Sequence, residues 1–516
     1  MAVERGPAYR EWLARRTVAV VGLARSGVAA ARLIRRLGGH VLASDSNARE
    51  ALSPEALELE RLGCTLFPGG HPQVAFAGAD LVVVSPGVPL ELPALKAVHG
   101  RGVPIIGELE LGWLVMEADL IAITGTNGKT TTTALTGELA AGTMRPVLVG
   151  GNIGTPLCAE ALDFPAHGLV VAEASSFQLD TIERLRPRVA AMLNLTPDHL
   201  DRHKTFERYV GAKAKIFANQ TTSDCAVLNA DDPATAALAS RTRARVVWFS
   251  RLTSLDHGIF VQDGWIVAKL NGHTEAICPL AEITLRGSHN VENVLAATAG
   301  ALWMGLSPGA IRAGIGAFRG VSHRIERVTD ERGVVYYNDS KGTNVASTIK
   351  ALESFTEPIV LIAGGKGKGQ DFSPLAEAAR GRVRQAVLIG TDRPAVRAAL
   401  EAAGVPCARY RDPRAALTDP HLLGRGAFAT ICDTAGEFLG VNAPWKMSGA
   451  ETSIRPEIPA IGEHRDEVLS RALGLSPEAI AGLVRTGAFG KPKEKQREKQ
   501  REQQREQARG SAGIAS

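Results

Sequence analysis

The chain has 516 residues, of which 45% are apolar and 22% charged, which leaves room for about three domains at ~100–200 residues each. That balance excludes a largely disordered or collagen-like chain, and no run approaches the ~18 apolar residues a membrane-spanning helix needs. The net charge is +5, but 491–516 holds eight Lys and Arg against four Glu, so four of the five charges belong to that tail and no nucleic-acid face is expected on the body.

The N-terminal residues place an acid and a proline where a secretion signal would have a basic then apolar run, so the expected location is cytoplasmic. The six cysteines are scattered without a C-x-x-C pair, which argues against a metal cage or a disulfide framework.

In chain order, Thr17–Gly22 reads as a β-branched strand ending in glycine, Val28–Leu37 as a helix and Val41–Asp45 as the next strand, a βαβ opening. Leu81–Ser85 and Pro104–Gly107 extend this unit. A second unit begins with the strand Asp119–Thr124, a glycine loop and a helix from about Thr130. Leu169–Glu173, Val189–Leu195, Cys225–Asn229 and Val246–Phe249 are its further strands. A third runs from about Val321, with strands at Val334–Asn338, Ile359–Ala363 and Ala386–Ile389. Strands alternating with helices predict an α/β fold of parallel sheets wrapped by helices. Residues 491–516 have glutamate at every fourth position and no apolar stripe, which reads as a disordered tail.

The strongest local signal is Gly125-Thr126-Asn127-Gly128-Lys129-Thr130-Thr131, directly after a strand and before a helix. Glycines let backbone N–H groups turn toward phosphates, and the helix N-terminus favours negative charge. Lys129 can reach the β/γ-phosphates and Thr130 can ligate Mg²⁺. Ile123 stands where the general Walker A pattern has its first glycine. A weaker signal is Gly22-Leu23-Ala24-Arg25-Ser26-Gly27, a dinucleotide-type turn with Ala24 at the second glycine. Asp45 follows at the end of the next strand, where such folds place an acid on a ribose or base. A packing turn explains it as well as a nucleotide site does.

Together these segments resemble the Mur ligase family, and within it the branch that adds D-glutamate. The words occur in order: GLARSG at Gly22, SPGVP at Ser85, GELEL at Gly107, GTNGKTTT at Gly125, GGNIG at Gly150 and EASSFQLD at Glu173. They continue with NLTPDHLDRH at Asn194, YVGAKAKIF at Tyr209, NADD at Asn229, GSHNVENVLAA at Gly287, HRIE at His323, NDSKGTN at Asn338 and GGKGKGQDF at Gly364. The resemblance implies three domains: a UDP-binding Rossmann-like domain (1–112), a P-loop ATPase-like central domain (113–310) and a truncated Rossmann-like ligase domain (311–414). It implies an ATP-dependent amide ligase that joins D-glutamate to UDP-N-acetylmuramoyl-L-alanine through an acyl phosphate. The cofactors are ATP and Mg²⁺, and the chain is expected to be a monomer with no nucleic-acid or membrane partner.

By the same resemblance, Glu173, His199 and a carbamylated Lys213 help hold Mg²⁺ beside Thr130. Asn290, Arg324, Asp339 and Lys341 lie around ATP. Gly22, Ala24, Ser26, Gly27, Asp45, Ser46, Ser85, Pro86, Gly87 and Asn152 lie around the UDP substrate, and Thr343 and Lys368 around D-glutamate. Taken alone, Lys213 reads as a helix-surface lysine, Glu173 as a strand-end acid in a salt bridge, and His199 as a partly buried, satisfied histidine.

The resemblance breaks after about Arg414. The family's serine-rich ending, with Asp-x-Phe and then Phe-x-x-Arg-Gly, is missing. Residues 419–483 instead resemble the C-terminal end of class III CoA-transferases, so 415–490 reads as an appended segment. In it Ser476, Pro477 and Glu478 spell a helix start. The third sheet is then expected to lose its last strand or two and expose apolar surface. Two further functional readings follow: a UDP-sugar- and ATP-binding remnant with impaired ligation, and acyl-CoA transfer.

Overall fold

The β-branched run at Thr17 forms the strand expected of it. The computed structural model describes residues 4–489, except 367–368, 410–412, 434–435, 444, 446 and 460–461. In it β1 (Thr17–Val21), β2 (His40–Asp45), β3 (Thr65–Pro68), β4 (Leu81–Val84) and β5 (Ile105–Gly107) form one parallel sheet in the order β3-β2-β1-β4-β5. The helix Arg25–Arg36 buries Val28, Ala30, Ala31, Leu33 and Ile34 and carries its arginines outward. Its approach to the strand depends on Gly27. A Cβ there would sit 1.8 Å from the Gly22 carbonyl oxygen and 2.9 Å from Ser85 Oγ. Gly27→Ala should therefore cost about 1–3 kcal/mol or more, read as a lowered denaturant midpoint; an unchanged midpoint would mean the turn relaxes without loss.

The central sheet has nine strands: β6 (Asp119–Thr124), β7 (Val147–Gly151), β8 (Leu169–Glu173), β9 (Val189–Met192), β10 (Cys225–Asn229), β11 (Arg245–Ser250), β12 (Gly258–Gln262), β13 (Trp265–Leu270) and β14 (His273–Pro279). Their order is β14-β13-β12-β11-β10-β9-β6-β8-β7. From β7 to β12 the pairing is parallel, as predicted. β13 and β14 pair antiparallel, which corrects the expectation of wholly parallel sheets. The turns are Asp263-Gly264 (φ 50° and 77°) and Asn271-Gly272 (φ 53° and 80°). Both central residues are left-handed, as a two-residue hairpin requires, and Asp-Gly and Asn-Gly are the dipeptides that supply this. The helices Lys129–Ala141 and Ser288–Trp303 pack on this sheet and bury Leu135, Leu139, Val294 and Leu295 against β6, β9 and β10 residues.

The third block holds the hairpin β15 (Glu326–Glu331) and β16 (Val334–Asn338), then β17 (Ile359–Gly364), β18 (Val383–Ile389) and β19 (Cys407–Arg409) in the order β17-β18-β19. Its core is small, built from Leu352, Leu375, Ala379, Leu388, Val396 and Leu400 with a few neighbours. β17 is an edge strand whose Val360 and Ile362 face solvent.

The described chain parts into two compact units at Ala408/Arg409. The second holds the hairpin β20 (Phe428–Asp433) and β21 (Gly436–Val441) and the helices Arg465–Leu473 and Pro477–Arg485. Ser476 caps the last helix by accepting the Ala479 N–H, as its sequence predicts. Among the described residues of this unit, only Ile431 and Ile480 are buried apolar side chains. The tail 491–516 lies outside the described residues. No helix among the described residues is long and apolar enough to cross a membrane.

Candidate active site

Three neighbouring strands, β9, β6 and β8, end at the same edge of the central sheet. In an open α/β sheet that carboxyl-terminal edge is where ligands bind. After β6 the chain turns through Gly125 (φ 154°) and Gly128 (φ 84°) into the helix Lys129–Ala141. Beyond β9, Asn194 grips this loop: its Oδ1 accepts the Asn127 N–H (2.8 Å) and its Nδ2 donates to the Asn127 carbonyl (3.1 Å). Thr126 N–H donates to the Asn194 carbonyl, and the Thr126 hydroxyl accepts the Thr196 N–H at 3.0 Å. The loop is held from outside in a cradle form, with Thr130 and Thr131 buried in the first helical turn.

Glu173, the last residue of β8, accepts the Thr130 hydroxyl on Oε2 (2.8 Å) and the Asn152 amide on Oε1 (2.7 Å). It is buried and makes no salt bridge among the described residues, where hydrogen bonding rather than ion pairing holds it. Asn152 is thereby tied to the phosphate loop. Arg324 Nη2 also donates to Thr130 Oγ1, at 2.9 Å. Its flanking residues His323 (φ 66°) and Ile325 (φ 46°) are both left-handed, a strained conformation of the kind that collects at functional positions. Asp339 Oδ1 accepts the Ile325 N–H (3.1 Å), and burial raises its carboxyl above the usual range. Lys341 and Thr343 are exposed in the following turn. Ser347 Oγ donates to Asn127 Oδ1 at 3.2 Å, a second contact of this block with the loop.

Two lysines converge on one oxygen. Lys129 Nζ donates to the Gly125 carbonyl (3.0 Å) and the Thr126 carbonyl (2.7 Å). Lys213 Nζ donates to the same Gly125 carbonyl (2.8 Å) and to Thr124 Oγ1 (3.2 Å). Lys213 is 1% exposed, which corrects its reading as a surface lysine. Burial pushes both amines below their ordinary range. Lys213 goes well below, chiefly through burial and further because Lys129 repels its charge, while Asp198 and Glu173 pull the other way. A buried lysine beside a second ammonium group favours the neutral amine.

His199 opens a short helix in a left-handed conformation (φ 52°). Its side chain is 43% exposed, with Nε2 3.7 Å from Asp198 Oδ2 and its ring edge-on to Phe177 at 5.0 Å. Among the described residues no three His, Cys, Asp or Glu side chains converge on one metal position. The structure brings Thr130 and Glu173 together and leaves His199 on Phe177. The hard oxygens of Thr130 and Glu173 are the donor type that Mg²⁺ takes.

Asn290 is buried at the start of the helix Ser288–Trp303, donating to the Arg286 carbonyl and accepting from Asn293 Nδ2 (2.9 Å). Asn293 Oδ1 accepts the Thr132 hydroxyl (3.1 Å), and a Cβ on Gly128 would meet that oxygen at 2.2 Å. Asn293, Asn194, Tyr209 and His203 are site residues that sequence reasoning missed. For Tyr209 a signal existed. Tyr209, Ala212, Lys213, Ile216 and Phe217 are all buried at helical spacing, so Lys213 sits in the middle of an apolar stripe where a lysine has no ordinary place.

A second set of residues gathers at the equivalent edge of the first sheet. Gly22 (φ 86°) follows β1, donating its N–H to Ser44 and accepting the Ser85 hydroxyl at 2.7 Å. Asp45 ends β2, with Oδ2 accepting the Leu23 N–H (2.6 Å) and Oδ1 the Asn47 N–H (2.8 Å). Ala24 caps the helix that carries Ser26 and Gly27. Ser46 and Gly87 are exposed and Pro86 half-buried. A cleft of about 830 Å³ opens beside them, lined by Leu23, Ala24, Arg25, Asp45, Asn47 and Pro156. Lys368 lies outside the described residues.

Comparison with known proteins agrees with this layout. Residues 16–107 match the MurD-like N-terminal domain of Mur ligases, 123–301 the Mur ligase middle domain, and 323–426 the Mur ligase glutamate ligase domain, the last running past Arg414. The chain is 46% identical to the UDP-N-acetylmuramoylalanine–D-glutamate ligase of Pelotomaculum thermopropionicum over 77% of this chain and 88% of that one. It is 49% identical to the ligase of the same name from Acidobacterium capsulatum, over 72% and 82%. Among solved structures, MurF of Acinetobacter baumannii shares the fold with a TM-score of 0.51 at 17% identity, covering 83% of this chain and 93% of that one. The chain belongs to the Mur ligase family.

Proposed function

We infer that this chain is an ATP-dependent amide ligase of peptidoglycan synthesis, adding D-glutamate to UDP-N-acetylmuramoyl-L-alanine through an acyl phosphate. The observation that carries the reading is the phosphate loop with Lys129 and Thr130 against Glu173, in a chain 46–49% identical to D-glutamate ligases. ATP takes the cradle Gly125–Thr131, with Asn290, Arg324, Asp339 and Lys341 around the nucleotide. The UDP substrate takes the first-sheet edge, from Gly22 to Gly27 with Asp45, Ser46 and Ser85–Gly87, and reaches Asn152.

Lys129 neutralises charge as the terminal phosphoryl group moves to the substrate carboxylate. Arg324 is poised to do the same once it leaves Thr130. Thr130, Glu173, His199 and Lys213 would hold Mg²⁺, which would supply electrostatic stabilisation of the transferring phosphoryl group. An amine at Lys213 cannot ligate that ion. Its neutral form can attack CO₂, lose a proton and become a carbamate with two oxygens, which converts the one misfit of the set into a suitable ligand. Release of phosphate that requires ATP, UDP-N-acetylmuramoyl-L-alanine and D-glutamate together tests the reading. Phosphate release indifferent to D-glutamate would favour the remnant.

The altered ending gives that second reading its weight. Thr343 and Lys368 are retained, but the family's serine and phenylalanine side of the amino-acid pocket has no counterpart after Arg414. Losing a hydrogen bond to a charged group costs about 1.5–3 kcal/mol and losing the apolar wall of the pocket costs more, so the KM for D-glutamate should lie about 10–1,000-fold above that of a chimera carrying a family-type ending. ATP and the UDP substrate should bind both chains equally. Equal D-glutamate KM values would show that the present ending rebuilds the pocket.

A further inference from the structure

The magnesium ligands assigned above come from three separate segments. Glu173 ends β8, just before the helix Ser176–Asp180. His199 opens the helix Leu200–His203. Lys213 sits on the helix Phe206–Ala214. One side chain touches all three segments. His203 is 6% exposed, and its Nε2 is hydrogen-bonded to Ser176 Oγ at 2.9 Å. Its ring stacks on Phe177 (5.5 Å between centroids, 20° between planes), the same phenylalanine that receives the His199 ring edge. It also meets Tyr209 edge-on at 5.5 Å. Tyr209 in turn covers Lys213 Nζ with its ring at 4.9 Å and bonds Thr126 through its hydroxyl at 3.0 Å.

We propose that His203 is a positioning residue of the ligase site, a wedge whose Ser176 bond and two ring contacts set the mutual placement of Glu173, His199 and Lys213. The inference rests on the assignment of those three residues to Mg²⁺. A histidine suits the place because it combines a flat ring, which fills the space between Phe177 and Tyr209, with a nitrogen aimed at a hydroxyl. Phenylalanine offers only the first and an aliphatic residue neither. Burial also pushes the imidazole below its ordinary range. Groups that orient ligands in this way typically affect metal affinity or activity by about 10–100-fold without touching the substrate.

The test uses the full-length chain with His203→Phe, His203→Gln, Ser176→Ala and the double variant His203→Phe/Ser176→Ala. His203→Phe keeps the ring and loses the nitrogen. It should lower kcat about 10–100-fold and raise the Mg²⁺ concentration for half-maximal rate, while KM for ATP and the UDP substrate stays within about twofold. His203→Gln places an amide nitrogen near the lost Nε2 and should restore most of the rate. The double variant should be no worse than the poorer single one, because both remove the same bond. A readout without turnover is the ¹³C signal of the Lys213 carbamate from labelled bicarbonate, which should weaken in His203→Phe. Parental kcat, Mg²⁺ dependence and carbamate signal in His203→Phe overturn the proposal, as does strict additivity with Ser176→Ala. If His203→Phe does not fold, Ser176→Ala alone decides: it should show the same fall in kcat at unchanged KM, and a parental rate overturns the proposal. A parent chain with no carbamate signal and an active Lys213→Ala variant would remove Lys213 from the metal site, a result separable from the response of kcat to His203.

Discussion

Lys129→Ala should abolish ligation while leaving the fold intact. Among the described residues the side chain makes two hydrogen bonds, both to carbonyls of its own loop, and Lys213 stays on one of these. Its amine is buried against a second one on Gly125, and burial has already lowered its affinity for a proton. Removing it relieves that crowding, so the thermal midpoint should stay within about 3 °C of the parent. The transition state has no such indifference. Charge spreads over the transferring phosphoryl group, and removing a preorganised cation there costs about 3–4 kcal/mol or more, a factor of hundreds in kcat. Initial rates of phosphate release, measured at saturating ATP and UDP substrate, check this. Turnover within about tenfold of the parent would remove Lys129 from the phosphate cradle.

The parts of this site that were legible in the sequence are those written as contiguous words. Gly-Lys-Thr between an apolar strand and a helix carries its own structural context, and Asp119–Thr124 is observed where it was expected. The strands beneath the site share this quality, because parallel strands buried on both faces read as unbroken runs such as Leu81–Val84 and Leu169–Glu173. What was not legible depends on tertiary closure. Asn194 opens the word NLTPDHLDRH, yet it grips the phosphate loop only because β9 lies beside β6, a neighbour relation that no local spacing encodes. His203 belongs to a four-residue helix too short to show a period, and its meaning comes from Phe177 and Tyr209, which lie 26 and six residues away in sequence. The antiparallel strands β12–β14 were missed for another reason. Their Asp-Gly and Asn-Gly turns are strong local signals, but the alternation of strands with helices elsewhere argued for a parallel sheet throughout, and the local chemistry prevailed.

Lys213→Ala should lose activity about as severely as Lys129→Ala, and short carboxylic acids should restore part of it. The argument begins with burial. An ammonium group with no carboxylate in contact is costly in the interior, and among the described residues Lys213 has as hydrogen-bond partners a carbonyl oxygen and a hydroxyl, with Lys129 sharing the first. Losing the proton answers the electrostatics but leaves a neutral amine that adds nothing to phosphoryl transfer. Carbamylation would answer both, since it would turn the amine into an anion beside Lys129 with the hard oxygens that Mg²⁺ takes. Alanine leaves a cavity the length of the lysine, lined by Tyr209 and the loop carbonyl. Acetate or formate can enter that cavity and supply the missing oxygens, which propionate or a longer acid should do less well. Activity regained with about 10–100 mM acetate, at rates about 10–100-fold below the parent, is the expected outcome, since a diffusible ligand forgoes the effective concentration of a tethered one. An alanine variant as active as the parent takes Lys213 out of the site. An inactive variant that no short acid rescues would instead point to the buried lysine as a support for the loop, acting through Gly125 and Thr124 and carrying no carbamate.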